Sequence, residues 1–89
     1  MKPTTKKQAV RRLRIMEGQI RGLTKMVEEE KYCVDIITQS MAVKKALSSL
    51  EDLILENHLS THVVEQMRSG GKDMAVSEIL KIYKLSKKL

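Results

Sequence analysis

Only three side chains in this sequence are soft or borderline metal ligands at useful spacing: Cys33, His58 and His62. His58 and His62 stand four residues apart, so on a helix they share a face one turn apart, as two ligands of one ion would. Cys33 precedes His58 by 25 residues. At ~100° per residue that is within roughly 20° of seven full turns, so on one continuous helix all three project from the same side. The rise along such a helix is about 37 Å, and no single straight helix closes that gap. Two copies packed antiparallel close it, because each Cys33 then meets the His58 and His62 of the other copy. A twofold centred near Lys45-Ala46 generates two equivalent sites. The same residues admit an ordinary reading. A lone cysteine in an apolar helix is usually a small buried hydrophobe, and paired histidines on a helix are commonly surface residues. Methionine offers a thioether for Cu(I), but Met16 and Met67 fall on apolar stripes and read as packing. Spacing alone leaves metal binding and plain packing both open.

A second pattern is electrostatic. Lys7, Arg11, Arg14, Arg21 and Lys25 recur at helical spacing on the face opposite Leu13, Ile20 and Val27. A charged stripe is usually a solvated face, but one of unmixed sign suits phosphate contacts. Lys44 and Lys45, which add charge near the expected twofold, and Arg12 are further candidates for DNA contact. The chain carries 17 Lys+Arg against 11 Asp+Glu, a formal charge of +6, so its partner is expected to be anionic, with nucleic acid the leading candidate. No helix-turn-helix, zinc finger or base-stacking aromatic surface is evident. Duplex binding would therefore come from assembled helices.

Helices must position these residues. No proline follows Pro3, and the one strong breaker is Ser69-Gly70-Gly71. Thr5-Lys6-Lys7-Gln8 fits a capping box at the start of a first helix. Leu13, Met16, Ile20, Leu23 and Val27 then recur at spacings of 3, 4, 3 and 4, a heptad seam. The acidic run Glu28-Glu29-Glu30 opposes the negative end of a helix dipole and predicts the helix end. From Cys33 to Met67 the pattern Ile36, Val43, Leu47, Leu50 and Ile54 predicts a second helix roughly 50 Å long. Its apolar residues also spread round further faces (Ile37, Met41, Leu53, Leu55, Leu59, Val63), which predicts a second copy packed on it. Gly70-Gly71 ends it, Asp73 is a candidate N-cap, and Val76, Ile79 and Tyr83 mark a short third helix.

The expected fold is all-α, a single domain over residues 1–89 with a long central helix. With 89 residues, no Trp, no Phe, two Tyr and one Cys, the chain buries little core alone and has no internal disulfide to compensate. A dimer or larger homo-oligomer is the expectation. No apolar run approaches a membrane span, the first residues do not resemble a signal peptide, and a free thiol suits the cytoplasm. An enzyme reading would make Cys33 a nucleophile and His58 its base, but no oxyanion hole or substrate cleft accompanies them. A purely structural helical oligomer explains the heptads, and leaves the single-sign stripe and the Cys33–His58 register as coincidences.

Tyr32-Cys33-Val34-Asp35-Ile36-Ile37-Thr38-Gln39, the stretch Arg12 to Gly22 containing Gly18-Gln19-Ile20-Arg21-Gly22, and Glu56-Asn57-His58-Leu59 together resemble the copper-sensing operon repressor family over nearly the whole chain. The resemblance implies a three-helix subunit, a dimer of dimers, and a repressor that holds operator DNA until an inducer is sensed. It implies ligands at Cys33, His58 and His62, shared between subunits, with Tyr32 and Glu78 at the positions that stand behind the ligands in copper members. Copper sensors of this kind often carry cysteine as third ligand; His62 here is similar to a cysteine-histidine-histidine subset. Nickel/cobalt members recruit an N-terminal histidine, which this sequence lacks. Formaldehyde members carry proline next to the initiator, where Lys2 stands here, and persulfide members need a second cysteine. One thiolate with two imidazoles suits three-coordinate Cu(I), while Zn(II) or Ni(II) would need further ligands. The expected function is therefore a Cu(I)-released transcriptional repressor.

Overall fold

The computed structural model describes residues 1–88. Those residues form only helices and turns: α1 (Pro3–Glu28), α2 (Cys33–His58), a π turn (Leu59–Val63), α3 (Val64–Arg68) and α4 (Lys72–Ser86). The chain divides into two compact units, Met1–Leu55 and Glu56–Leu89.

In the first unit, α1 starts two residues before the expected cap. Pro3 occupies the first turn, and Lys2, in an extended conformation, is the N-cap, with no side-chain capping bond. Proline presets the helical φ and has no N–H to satisfy there, so the Thr5–Gln8 capping box is not used. Thr5 is instead buried within the first turn. α1 ends where the acidic run predicts. The Glu30 and Lys31 N–H groups donate to the carbonyls of Val27 and Met26, with Glu30 in the left-handed region at φ 52°. Glu29 sits between Lys25 (3.8 Å) and Lys31 (3.6 Å), which offsets the clash of its charge with the helix dipole.

The seam of α1 differs from the expected one. Met16 is 4% exposed, but Leu13, Ile20 and Val27 are 42%, 53% and 60% exposed. The buried line runs through Thr5, Ala9 and Met16, with Arg12, Gln19, Leu23 and Met26 half-buried between and beyond them. This line also keeps the 4-3 spacing of a helix seam. The apolar arc of α1 is wider than one neighbouring helix covers, and the small side chains Thr5 and Ala9 set which part turns inward. Ala9, Met16 and Leu50 form the core, with Ala46 and Leu53 against it. Arg12 donates to the carbonyl and hydroxyl of Ser49, both at 3.2 Å, and so ties α1 to α2. Val34, Ile37, Met41 and Leu47 stay exposed, on more than one face of α2.

The second unit departs from the single long helix expected to reach Met67. α-Helical winding stops at His58, widens to the π turn over Leu59–Val63 and resumes over Val64–Arg68. Two hydroxyls converge on one carbonyl at this point. Thr61 and Ser60 hydroxyls donate to the Asn57 carbonyl at 2.6 and 3.2 Å, competing with the backbone for that acceptor. α3 ends at the expected breaker, with Gly70 at φ 86° and the Gly71 N–H donating to the Gln66 carbonyl. α4 then begins two residues earlier than Asp73 capping requires: Gly71 is the N-cap, and Asp73 lies in the first turn, where its charge favours the helix dipole. Val63 and Ala75 are buried. No helix among the described residues is long and apolar enough to cross a membrane.

Candidate metal centre

Cys33 is the first residue of α2 and His58 the last. Cys33 is a free, exposed thiol. Tyr32, just before it, is exposed, and its carbonyl accepts the N–H groups of Asp35 and Ile36. Among the described residues no group of three or more His, Cys, Asp or Glu stands together as a metal site within the chain.

The two histidines are together. The His58 and His62 rings have centroids 5.3 Å apart and planes tilted by 32°. Metal–nitrogen bonds of about 2.0–2.1 Å at trigonal or tetrahedral angles place two imidazole centroids roughly 5 Å apart, so the pair fits one ion. The π turn contributes to this placement, because His62 lies within it and His58 immediately precedes it. π turns recur at functional positions because they re-aim side chains without ending a helix. A thiolate joined to these two imidazoles would make a soft donor set suited to Cu(I).

Further polar groups stand behind the rings. His58 Nε2 is 3.6 Å from Glu78 Oε2 on α4. Thr61 Oγ1 is 3.4 Å from His62 Nδ1. Glu78 was expected at this place from resemblance; Thr61 and Asn57 were not. The available signal was the hydroxyl pair Ser60-Thr61 inside an otherwise apolar helical pattern, a combination that bonds back to earlier carbonyls.

On α1, Lys7, Arg11, Arg14 and Arg21 are exposed on the face away from the buried line. Lys25 is also exposed and pairs with Glu29. Arg12, half-buried, is turned to Ser49 of α2 and not to the stripe. Lys44 and Lys45 are exposed on α2.

Comparison with known proteins identifies similar chains. A family model described as metal-sensitive transcriptional repressor matches residues 5–85. The copper-sensing transcriptional repressor CsoR of Bacillus subtilis (strain 168) is 40% identical over 79 residues, covering 89% of this chain and 78% of that protein. The copper-sensing transcriptional repressor RicR of Mycobacterium tuberculosis is 48% identical over 61 residues, 68% of this chain and 64% of that protein. A crystal structure of the copper-sensing repressor CsoR with Cu(I) from Geobacillus thermodenitrificans NG80-2 is similar with a TM-score of 0.91 at 31% identity, covering 98% of this chain and 91% of that one. An all-α chain matched over nearly its whole length in this way belongs to the family of metal-sensitive transcriptional repressors, which are not enzymes.

Proposed function

We propose that this chain represses transcription by binding operator DNA without metal and releases it when Cu(I) occupies a site made of Cys33 from one protomer and His58 and His62 from its partner. The observation that carries this reading is the His58–His62 pair, two imidazoles at one-ion spacing in a member of a metal-sensitive repressor family. Copper is favoured over Zn(II) and Ni(II) by the soft thiolate and by relatives named as copper-sensing. The shared site is supported by Cys33 and His58 standing at opposite ends of one helix, a rise of about 37 Å, which two antiparallel copies bridge twice. Exposed Leu13, Ile20, Val27, Ile37 and Met41 supply apolar surface for a homodimer and homotetramer. The exposed cations Lys7, Arg11, Arg14 and Arg21, with Lys44 and Lys45, supply the DNA face, and the working place is the cytoplasm.

When bound, Cu(I) supplies bonds that hold the cysteine end of one protomer to the histidine end of the other. Glu78 lets movement of the His58 ring be felt by α4, because the two side chains face each other. Any coupling is reciprocal: if copper weakens operator binding, operator weakens copper binding by the same factor.

Anaerobic titration with Cu(I), while operator binding is followed by fluorescence anisotropy, tests the reading. One Cu(I) per protomer with loss of DNA binding is expected. Stoichiometric Zn(II) or Ni(II) acting in its place would reassign the inducer, and no stoichiometric metal would leave a helical scaffold.

A further inference from the structure

We propose that Thr61 is a positioning residue for His62, its hydroxyl holding the ring in the tautomer with hydrogen on Nδ1 and so leaving Nε2 as the atom that meets the metal. The inference rests on the reading of His62 as a ligand.

A threonine hydroxyl has one hydrogen and two lone pairs. That hydrogen goes to the Asn57 carbonyl, 2.6 Å away and able only to accept. Toward His62 Nδ1, at 3.4 Å, Thr61 has only lone pairs left to offer. The ring nitrogen that faces an acceptor is the one that carries the hydrogen, and a neutral imidazole has only one. Nε2 of His62 therefore keeps its lone pair.

The π turn is part of the device, because the same Thr61 hydroxyl that engages the Asn57 carbonyl also stands beside the ring. His58 meets the opposite circumstance. Its Nε2 faces the Glu78 carboxylate, an acceptor, so its hydrogen belongs on Nε2 and its Nδ1 is free. The two rings thus present different nitrogens. Partners of this kind fix ligand orientation, and their loss typically lowers metal affinity by about 10–100-fold.

Long-range proton–nitrogen NMR correlations on the metal-free, nitrogen-15-labelled protein test this directly, at alkaline pH above the ordinary imidazole range. The wild type should show hydrogen on Nδ1 of His62 and on Nε2 of His58. Thr61→Val should move His62 to the Nε2–H form that free histidine favours in water, leave His58 unchanged, and bind Cu(I) about tenfold more weakly or worse. Thr61→Ser, which restores the hydroxyl, should restore both readouts. A wild-type His62 with hydrogen on Nε2, or a valine variant with an unchanged His62, overturns the proposal. So does a serine variant that behaves like valine, because the hydroxyl is then not the cause. Expected tautomers in a wild type that takes up no Cu(I) overturn the ligand reading of His62 alone.

Discussion

The hairpin of residues 1–55 and the segment from residue 56 onward are stabilised by different means. In the hairpin, Ala9, Met16 and Leu50 bury one another across two long helices, and Arg12 adds one polar tie to Ser49. In the second segment the Ser60 and Thr61 hydroxyls converge on the single carbonyl of Asn57 and His58 faces Glu78 at 3.6 Å, whereas in the hairpin Thr24 and Thr38 each donate to one carbonyl of an unbroken helix. The corners differ too. Both reverse the chain by an N–H reaching back to a carbonyl in the last helical turn, but the first places Glu30 in the left-handed region and the second places Gly70 there. The difference teaches what each half is suited to. Long-range burial makes a scaffold on whose outer face charges are displayed. Local polar bonding tunes a single turn, and it is in that turn that ligand atoms need accurate placement.

The largest effect should come from separating the ligands of the two halves. Cys33→Ala, and a His58→Ala/His62→Ala double variant, should each lose tight Cu(I) binding by orders of magnitude. Refolding the two together should give heterodimers that bind one copper where the wild type binds two. X-ray absorption should then report one sulfur with nitrogen neighbours. Verified heterodimers that bind none would mean that each chain assembles its own ligands, and the division of labour between halves would be lost.

Next comes communication. Coupling between sites is typically 5–150-fold in affinity. Glu78→Ala should collapse that factor toward one, measured as operator affinity with and without Cu(I), while copper affinity falls by no more than about tenfold. Equal loss of both would make Glu78 a ligand or a folding residue.

The hairpin's outer face is tested by salt. Arg14→Ala or Arg21→Ala should weaken operator binding and reduce the slope of log affinity against log salt by about one, with helicity unchanged by circular dichroism. Arg12→Ala should instead lower thermal stability, because its guanidinium serves Ser49. A salt slope that responds to Arg12 and not to Arg14 or Arg21 would move the DNA surface.

The smallest effects concern the corners. Gly70→Ala should destabilise by about 1 kcal/mol, since a Cβ is disfavoured at φ 86° even with open space around it. Glu30→Gly should stabilise by up to about 1 kcal/mol, because glycine removes the Cβ conflict at φ 52°. Thermal unfolding at matched protein concentration reads both, and two shifts of the same sign would erase the contrast between corners.

Periodicity and residue type determined the all-α fold, the helix end at Glu28–Glu30 and the break at Gly70-Gly71, because helix patterns and breakers are local signals. They also determined the single-sign stripe, since a charge on the outer face needs no partner to stay there. Which part of the apolar arc of α1 turns inward was settled by the packing of α1 on α2. Leu13 and Met16 are both apolar, and the choice depends on where Ala9, Arg12 and Leu50 let the two helices approach. The π turn was likewise hidden. A five-residue widening leaves the apolar pattern nearly intact, and it falls where the Thr61 and Ser60 hydroxyls converge on the Asn57 carbonyl. The approach of Thr61 to His62 and of Glu78 to His58 is a matter of ångströms. Residue spacing along the chain brings such groups to the same region, but only packing decides which atoms meet.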